Sequence, residues 1–340
     1  MTQRPKVSVI IVSWNAQPLL ERCLPSVVAT DYPNLEIVLA DNGSTDDSVA
    51  WVQATYPKVR VISMGENLGF CGGNNRAIAE TDSPFVVLLN NDVQVEPDWL
   101  GHLIALAETD SAIAAIQPKL LQFDDHGRFE YAGASGGHID RLGYPFARGR
   151  VFFEVEEDAG QYDDSTDVFW ATGAALLLRR AALDQVGLLD EAFEFHMEEI
   201  DLCWRLRSGG YRVMVEPQSR VYHIGGGSLP QESPRKTAYN FRNSLLMLYK
   251  NLPPSRWRRV FPQRIVLDGL ATVRFLGKGE FAQAGAVLGA YLQAHRMKSV
   301  YARPAEGFVV PPSYGKSIVA DYYLRHKRRF SGLAPEDFRL

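Results

Sequence analysis

The stretch FVVLLNNDVQVEPDWL, residues 85–100, sets two amides and a carboxylate, Asn90, Asn91 and Asp92, directly behind an uninterrupted apolar run. A short run that is apolar on both faces reads as a parallel strand covered by helices. The helical periodicity of EPDWLGHLIALAET, which follows it, supplies one such cover. The same unit occurs three times upstream: VSVIIVSW before QPLLERCLPSVVAT, LEIVLADNGS before DDSVAWVQATY, and VRVISMGE before GGNNRAIAET. The alternation predicts an α/β fold with a doubly wound, mostly parallel sheet. Ligands of such sheets bind beyond the carboxyl ends of the strands. Four polar strand ends, at residues 13–15, 41–44, 65–70 and 90–92, are therefore expected to converge on one rim.

A single carboxylate closing a buried strand between amides suits a hard divalent cation that keeps some waters and also binds phosphate oxygens of a ligand. The competing reading makes Asp92 a turn residue before VEPDWL, and Asp or Asn in DNGSTDDS a helix cap. A diphosphate bridged by Mg²⁺ or Mn²⁺ fits the rim, because the metal offsets charge on a leaving group. No Walker sequence is present, and GFCGGNN does not match the dinucleotide fingerprint. The first strand also lacks the basic glycine loop that would attract a nucleoside triphosphate.

Composition narrows the classes further. The chain has 340 residues, 46% hydrophobic and 22% charged, with a net charge of -4, so bulk electrostatics give no case for nucleic acid. Cys23, Cys71 and Cys203 lie far apart without CxxC spacing, which argues for a reducing, cytoplasmic compartment over a disulfide framework or zinc site. The N-terminal apolar run has strand length and no cleavage site, so no signal peptide is expected. No apolar segment approaches the roughly 20 residues that span a bilayer.

Residues 116–167, rich in glycine and acids and without clear periodicity, read as short strands and mobile loops. VFWATGAALLLRRAALDQVG predicts a strand and a short helix, EEIDLCWRLRSGG a helix closed by glycines, and YRVMVEPQSRVYHIGGGS extended chain ending in a glycine cluster. From Arg235 the periodicity is helical, which puts a boundary near Pro234.

VSVIIVSWN, LADNGSTDDS, ENLGFCGGNN, LLNNDV, ATGAALLLRR, EEIDLCWRLR and VYHIGGGS, in that order, resemble the inverting family-two glycosyltransferases with the GT-A fold. The resemblance is closest to the bacterial dTDP-rhamnosyltransferase-like enzymes of cell-surface polysaccharide assembly, and it covers about the first two thirds of the chain. It implies a GT-A catalytic domain over residues 1–234, with nucleotide-sugar binding in about 1–115, the acceptor side in about 116–234, and a helical C-terminal region at 235–340. It assigns Asp41 to the base and places Ser13, Trp14 and Asn15 beside the nucleoside. Asn67, Gly69, Asn75 and Asn91 fall to the donor sugar and diphosphate. NND stands in the place of the family's DXD motif, so Asp92 is the implied ligand of Mn²⁺ or Mg²⁺. Asn90, a neutral substitute for the first acid, acts through water or not at all, and His223 is a further ligand.

The catalytic base falls in HMEEIDLCWRLR, at Glu199 where the family carries aspartate, with Glu198 as competitor. Asp201 reads as a structural partner of Arg205. Trp170, Thr172, Gly173 and Ala174 match the acceptor side, Trp170 either stacking on a sugar or joining the core. The implied partners are a dTDP- or UDP-sugar donor and a glycan or lipid-linked glycan acceptor. In the C-terminal third, SRWRRVFPQRIVL and YYLRHKRRF mix basic and aromatic residues. They read as a solvated face, as peripheral contact with the inner membrane leaflet, or as a homodimer surface. Two other classes stay open: a non-catalytic sugar-nucleotide or glycan-binding module of the same fold, and a nucleotidyltransferase.

Overall fold

The computed structural model describes residues 4–225, 233–311 and 313–338. Strands β1 (Val7–Ser13), β2 (Leu35–Asp41), β3 (Arg60–Ser63) and β4 (Phe85–Asn90) alternate with helices α1 (Gln17–Val28), α2 (Ser48–Thr55) and α3 (Gly69–Ala79). The short β5 (Val93–Val95), α4 (Trp99–Thr109) and the long β6 (Ile113–Gln122) follow. Next come β7 (Gly137–Ile139), β8 (Pro145–Ala147), β9 (Arg150–Val151), β10 (Glu154–Val155) and β11 (Thr166–Asp167). Then follow β12 (Ala175–Arg179), α5 (Arg180–Val186), α6 (Glu198–Ser208) and β13 (Arg212–His223). The chain closes with α7 (Pro234–Asn251), α8 (Pro254–Gly277), α9 (Phe281–Met297) and α10 (Ile318–Tyr323).

The central sheet has the order β11-β13-β6-β12-β4-β1-β2-β3, with β5 paired to β13. β1 runs parallel to both β2 and β4, β2 to β3, and β6 to β13, while β12 is antiparallel to β4 and β6. The parallel strands therefore end at one edge, and antiparallel β12 begins there. Side chains alternate across the sheet as its pleat requires. Val7, Val9, Ile11, Val87 and Leu89 pack one face with Leu20 of α1 and Trp99 and Leu103 of α4. Ile10, Val38, Val86 and Leu88 pack the other with Cys71 of α3, Ile200 of α6 and Leu245–Leu248 of α7. Helix α7 thus belongs to the same core layer as α3 and α6, although Pro234 does begin an element, capped by Ser233.

The short strands expected in residues 116–167 are present, and the loops between them are pinned by ion pairs. After β6 the chain forms a second sheet of order β10-β9-β8-β7. Its acids are fastened: the fully buried Lys119 ammonium lies 2.8 Å from Asp158 and also binds Asp163, and Arg148 binds Asp164. The chain end is not helical throughout. Tyr314, Ile318, Tyr322 and Leu333 pack with Phe146 and Val151 of that second sheet, and the Tyr314 amide donates to the Ile139 carbonyl at 3.0 Å. α8 and α9 are held by Asp268, which accepts from Tyr144 at 2.6 Å, Tyr291 at 2.7 Å and Arg264 at 3.3 Å. Among the described residues, no helix is long and apolar enough to cross a membrane. The glycine cluster after β13 continues past Gly225 outside the described residues.

Candidate active site

The β1–β2 and β1–β4 registers bring Ser13 opposite Asp41 and Val12 opposite Asn90, so three polar strand ends lie side by side. The Asn91 amide donates to Ser13 Oγ at 3.3 Å across that junction. Asp41 is buried and accepts from the Ser44 backbone at 3.0 Å, while the Trp14 indole stands half exposed just past the end of β1. Gly43, at φ 75°, is obligatory: a Cβ there would lie 2.9 Å from the Glu66 backbone. The β2 turn is thereby shut against the loop after β3.

Three of the residues assigned to the donor hold the rim together. Asn15, left-handed at φ 48°, accepts from the Thr45 backbone at 2.7 Å and from that of Asp46 at 3.3 Å, which ties the β1 end to the β2 end. Asn67 Oδ1 accepts from the Gly69 amide at 2.9 Å and forms the turn into α3, with Gly69 at φ 71°. Asn75 donates to the Leu189 carbonyl at 2.9 Å and to Glu191 at 3.0 Å, and accepts from the Leu189 amide at 3.1 Å. Both ends of its amide are used in clasping α3 to the segment before α6. Asn42, which the sequence reading passed over, is buried and donates to the Gly69 carbonyl at 2.9 Å. Its position directly after Asp41 in DNGS was the available signal.

β5 lies antiparallel to β13 with Val93 opposite His223, and this register carries Asp92 to the imidazole. Asp92 Oδ1 and His223 Nε2 are 3.1 Å apart, both groups buried. On its other side His223 Nδ1 is 3.3 Å from Glu130 Oε1. Burial works against the imidazolium, but Asp92 and Glu130 prevail and push the His223 pKa up to about 10. Glu130 is a site residue that sequence reasoning missed; it lies outside every quoted motif. Among the described residues, no group of three or more His, Cys, Asp or Glu forms a metal cage. The Asp92–His223 pair nevertheless fits one divalent ion. Such an ion would be held by the Asp92 carboxylate and by His223 Nε2 once that nitrogen has given up its proton. Glu130 is then placed as the outer carboxylate that orients a ligating histidine. Asn90 is half-buried, with its backbone N–H donated to the Ala174 carbonyl at 2.9 Å.

The acid-bearing helix starts from an unusual turn. Glu194, His196 and Met197 have φ of 60°, 67° and 74°, a left-handed conformation that non-glycine residues rarely hold without support. Glu198 and Glu199 follow, and each has a carboxylate oxygen enclosed without a hydrogen-bond partner. Burial first, and then the neighbouring Glu199 charge, pushes Glu198 well above the usual carboxylate range. Burial pushes Glu199 up to about 7. Glu199 is the less buried of the two. Asp201 lies fully buried and binds Arg205 at 2.8 Å, Lys250 at 2.9 Å and Asn251 at 2.8 Å, so it fastens α6 to α7.

The 172–174 segment joins the two halves of the site. A Cβ on Gly173 would lie 3.2 Å from Phe70 and 3.8 Å from Glu199 Cβ, and the next residue, Ala174, receives the Asn90 hydrogen bond. Thr172 is buried, its backbone N–H donated to Gln117 at 3.0 Å. Trp170 is corrected as a stacking platform: it is buried, its indole N–H donates to the His138 carbonyl at 2.9 Å, and its ring fills the space where Gly137 lacks a Cβ.

Strand ends converging at one edge of a mostly parallel sheet, a carboxylate–imidazole pair behind the central strand, and a helix presenting acids across from it define a glycosyltransferase of the GT-A fold. The family model described as Glycosyl transferase family 2 matches residues 8–187. An N-acetylglucosaminyl-diphospho-decaprenol L-rhamnosyltransferase of Mycobacterium tuberculosis is 30% identical over 283 residues, covering 78% of this chain and 90% of that protein. The chain belongs to glycosyl transferase family 2. It is also 29% identical over 255 residues to an uncharacterized protein, y4gI, of Sinorhizobium fredii; the match covers 72% of this chain but only 27% of that protein's length. Among solved structures, the mannosyltransferase PcManGT of Pyrobaculum calidifontis, in complex with GDP-Man and Mn²⁺, superposes with a TM-score of 0.53 at 18% identity, covering 88% of this chain and 84% of that one.

Proposed function

We propose that the protein is a metal-dependent, inverting glycosyltransferase that moves a sugar from a nucleotide-diphospho-sugar, dTDP-rhamnose by this reading, to a cell-surface polysaccharide or its lipid-linked precursor. One observation carries the proposal: residues 173–174 connect the end of β4, where the Asn90 N–H donates to the Ala174 carbonyl at 2.9 Å two residues before Asp92, to the start of α6, where Glu199 Cβ lies 3.8 Å from the place of a Gly173 Cβ. A donor anchored at the first leaves its anomeric carbon facing an acceptor beside the second. The rhamnosyl donor and lipid-linked acceptor are supported by the activity for which the mycobacterial relative is named. The metal is supported by the Mn²⁺ that accompanies GDP-Man in the Pyrobaculum mannosyltransferase.

In this scheme Asp41 and Trp14 hold the nucleoside, and Ser13 and Asn91 lie along the diphosphate. Asp92 and His223 hold Mn²⁺ or Mg²⁺, which when bound offsets the negative charge gained by the departing nucleoside diphosphate. Glu199 accepts the proton of the acceptor hydroxyl as its oxygen bonds to the anomeric carbon, opposite the breaking bond to the diphosphate, so the configuration inverts in one displacement. A base with a pKa near 7 suits this role, since it is ionised at neutral pH and still basic enough to take a proton. The more deeply buried Glu198 is pushed well above the usual carboxylate range by burial and then by the Glu199 charge.

A thermal-shift panel of dTDP-, UDP- and GDP-sugars with and without Mn²⁺ tests the donor side, because a ligand that binds only the folded state raises Tm with its affinity. Stabilisation by dTDP-rhamnose only with metal, lost in Asp92→Ala, is expected. No response to any sugar nucleotide would overturn the proposal. A non-catalytic module of the same fold is favoured by Asn90, where the family carries an acid, and by Glu199, where it carries aspartate; sugar release from the bound donor rules it out.

A further inference from the structure

Helices α8 and α9 form a hairpin whose outer side is apolar. Ile265, Val266, Leu270, Val273 and Leu276 occupy one face of α8, spaced as an unbroken helical stripe, and Phe281, Leu288 and Leu292 do the same on α9; each is between 46% and 70% exposed. Gly269, Gly277 and Gly285 lie open between them, with nothing near where a Cβ would stand. The inner side of the hairpin is already satisfied, by Asp268 with its three partners and by Val287 and Ala290 in the interior. A soluble surface rarely leaves so continuous an apolar face uncovered.

The charge around this face is predominantly basic, although Arg258 lies 3.5 Å from Glu306, Arg328 3.6 Å from Glu154, and Arg325 2.9 Å from the buried Asp321. Between Arg258 and Arg303 the only acids are Asp268, which is buried, and Glu280, which lies 3.8 Å from Lys278. Arg258, Arg259 and Arg296 are exposed on the same two helices. Arg274 then links the stripe to a second basic segment. Its guanidinium donates to the Tyr323 hydroxyl at 2.7 Å and stands 5.6 Å from the Phe153 ring, and beyond Tyr323 run the exposed Leu324, Arg325, Arg328 and Arg329.

We propose that this face, the α8–α9 stripe with Phe153, Tyr323 and Leu324 at its border, lies on an anionic phospholipid bilayer. The apolar side chains enter the headgroup boundary and the surrounding arginines meet lipid phosphates. Charge decides between occupants. A second copy of the chain placed by a two-fold axis would set a basic rim against its own equivalent, whereas an anionic leaflet complements it. The inference does not rest on sugar transfer, and its test reads no catalysis.

The test is co-sedimentation of the full chain with vesicles of phosphatidylcholine containing phosphatidylglycerol, against phosphatidylcholine alone, at low and high salt. Binding to the anionic vesicles that weakens with salt is expected. The double variant Leu270→Glu, Val273→Glu, on exposed positions that keep Tm unchanged, binds about tenfold or more weakly. If the wild-type chain ignores both vesicles, or binds both equally at either salt, the proposal fails. It also fails if the chain sediments as a dimer at micromolar concentration and the double variant as a monomer, which would assign the face to a second copy.

Discussion

Glu199 has two properties that a base for glycosyl transfer needs: proximity to the acceptor segment at Gly173 and a pKa pushed up to about 7. With Glu199 as the proposed base, the deprotonated form would take the proton, so kcat is expected to rise with pH through about 7 and level off above it, as a pH–rate profile with saturating donor would show. Glu199→Gln removes the proton acceptor and keeps the shape; kcat falls by about 10²–10⁴, while the metal-dependent Tm shift given by the donor stays. Glu198→Gln, at a group already protonated, leaves kcat within a few-fold. Reversal of the two outcomes would move the base to Glu198. At this scale the sequence was partly legible. That Asp92 and His223 meet, and that the acid pair opens a helix, could be expected because their motifs fix both position and element end. The contacts of Asn15, Asn67 and Asn75 could not, since an amide that binds a ligand and one that binds a neighbouring loop have the same spacing, and only the partner atoms tell them apart.

Positioning of those acids depends on a contact between elements that lie far apart in the chain. The left-handed turn before α6 leaves backbone carbonyls pointing away from any helix, and α7 supplies their donors. The fully buried Asn243 amide donates to the carbonyls of Phe193 and Phe195 at 2.7 Å and of His196 at 2.9 Å, and Arg242 reaches the Phe193 carbonyl at 3.1 Å and the Glu194 carboxylate at 3.2 Å. Asn243→Ala strands these carbonyls, at a cost of about 1–3 kcal/mol in denaturant unfolding. Because the turn sets where Glu199 points, kcat should also fall while the donor-induced Tm shift is retained. An equal loss of both would mean general damage to the fold. Contacts of this long-range kind also explain why the sequence showed short strands in residues 116–167 but not what fastens the loops between them. Lys119 sits in a strand and its aspartates some forty residues later in turns, so their pairing leaves no periodic trace.

For the molecule as a whole, the second sheet and the chain end close over a histidine whose titration opposes that of the acids at the start of α6. His138 is buried against Phe146, Phe330 and Phe338, and neither ring nitrogen has a hydrogen-bond partner. Burial, with the nearby Arg148 and Arg207 charges, pushes its pKa down to about 3. The folded state therefore holds the neutral ring, while the unfolded chain takes up a proton below about 6.5. More protons on the unfolded state means that stability falls as pH drops through this window, by up to about 1.4 kcal/mol per pH unit from this group alone. Glu199 acts the other way: its raised pKa leaves the folded state with the extra proton between about 4.5 and 7, so its share of stability grows as pH falls. A plot of unfolding free energy against pH from 7 to 4 sums the two. His138→Phe, which keeps a flat ring in an aromatic cluster and removes the titration, should raise stability at pH 4.5 more than at pH 7.5. If the wild type and the variant run parallel across that range, the chain end opens enough in the folded state to let the ring protonate, and the seal formed by residues 314–338 over the second sheet is looser than its packing implies.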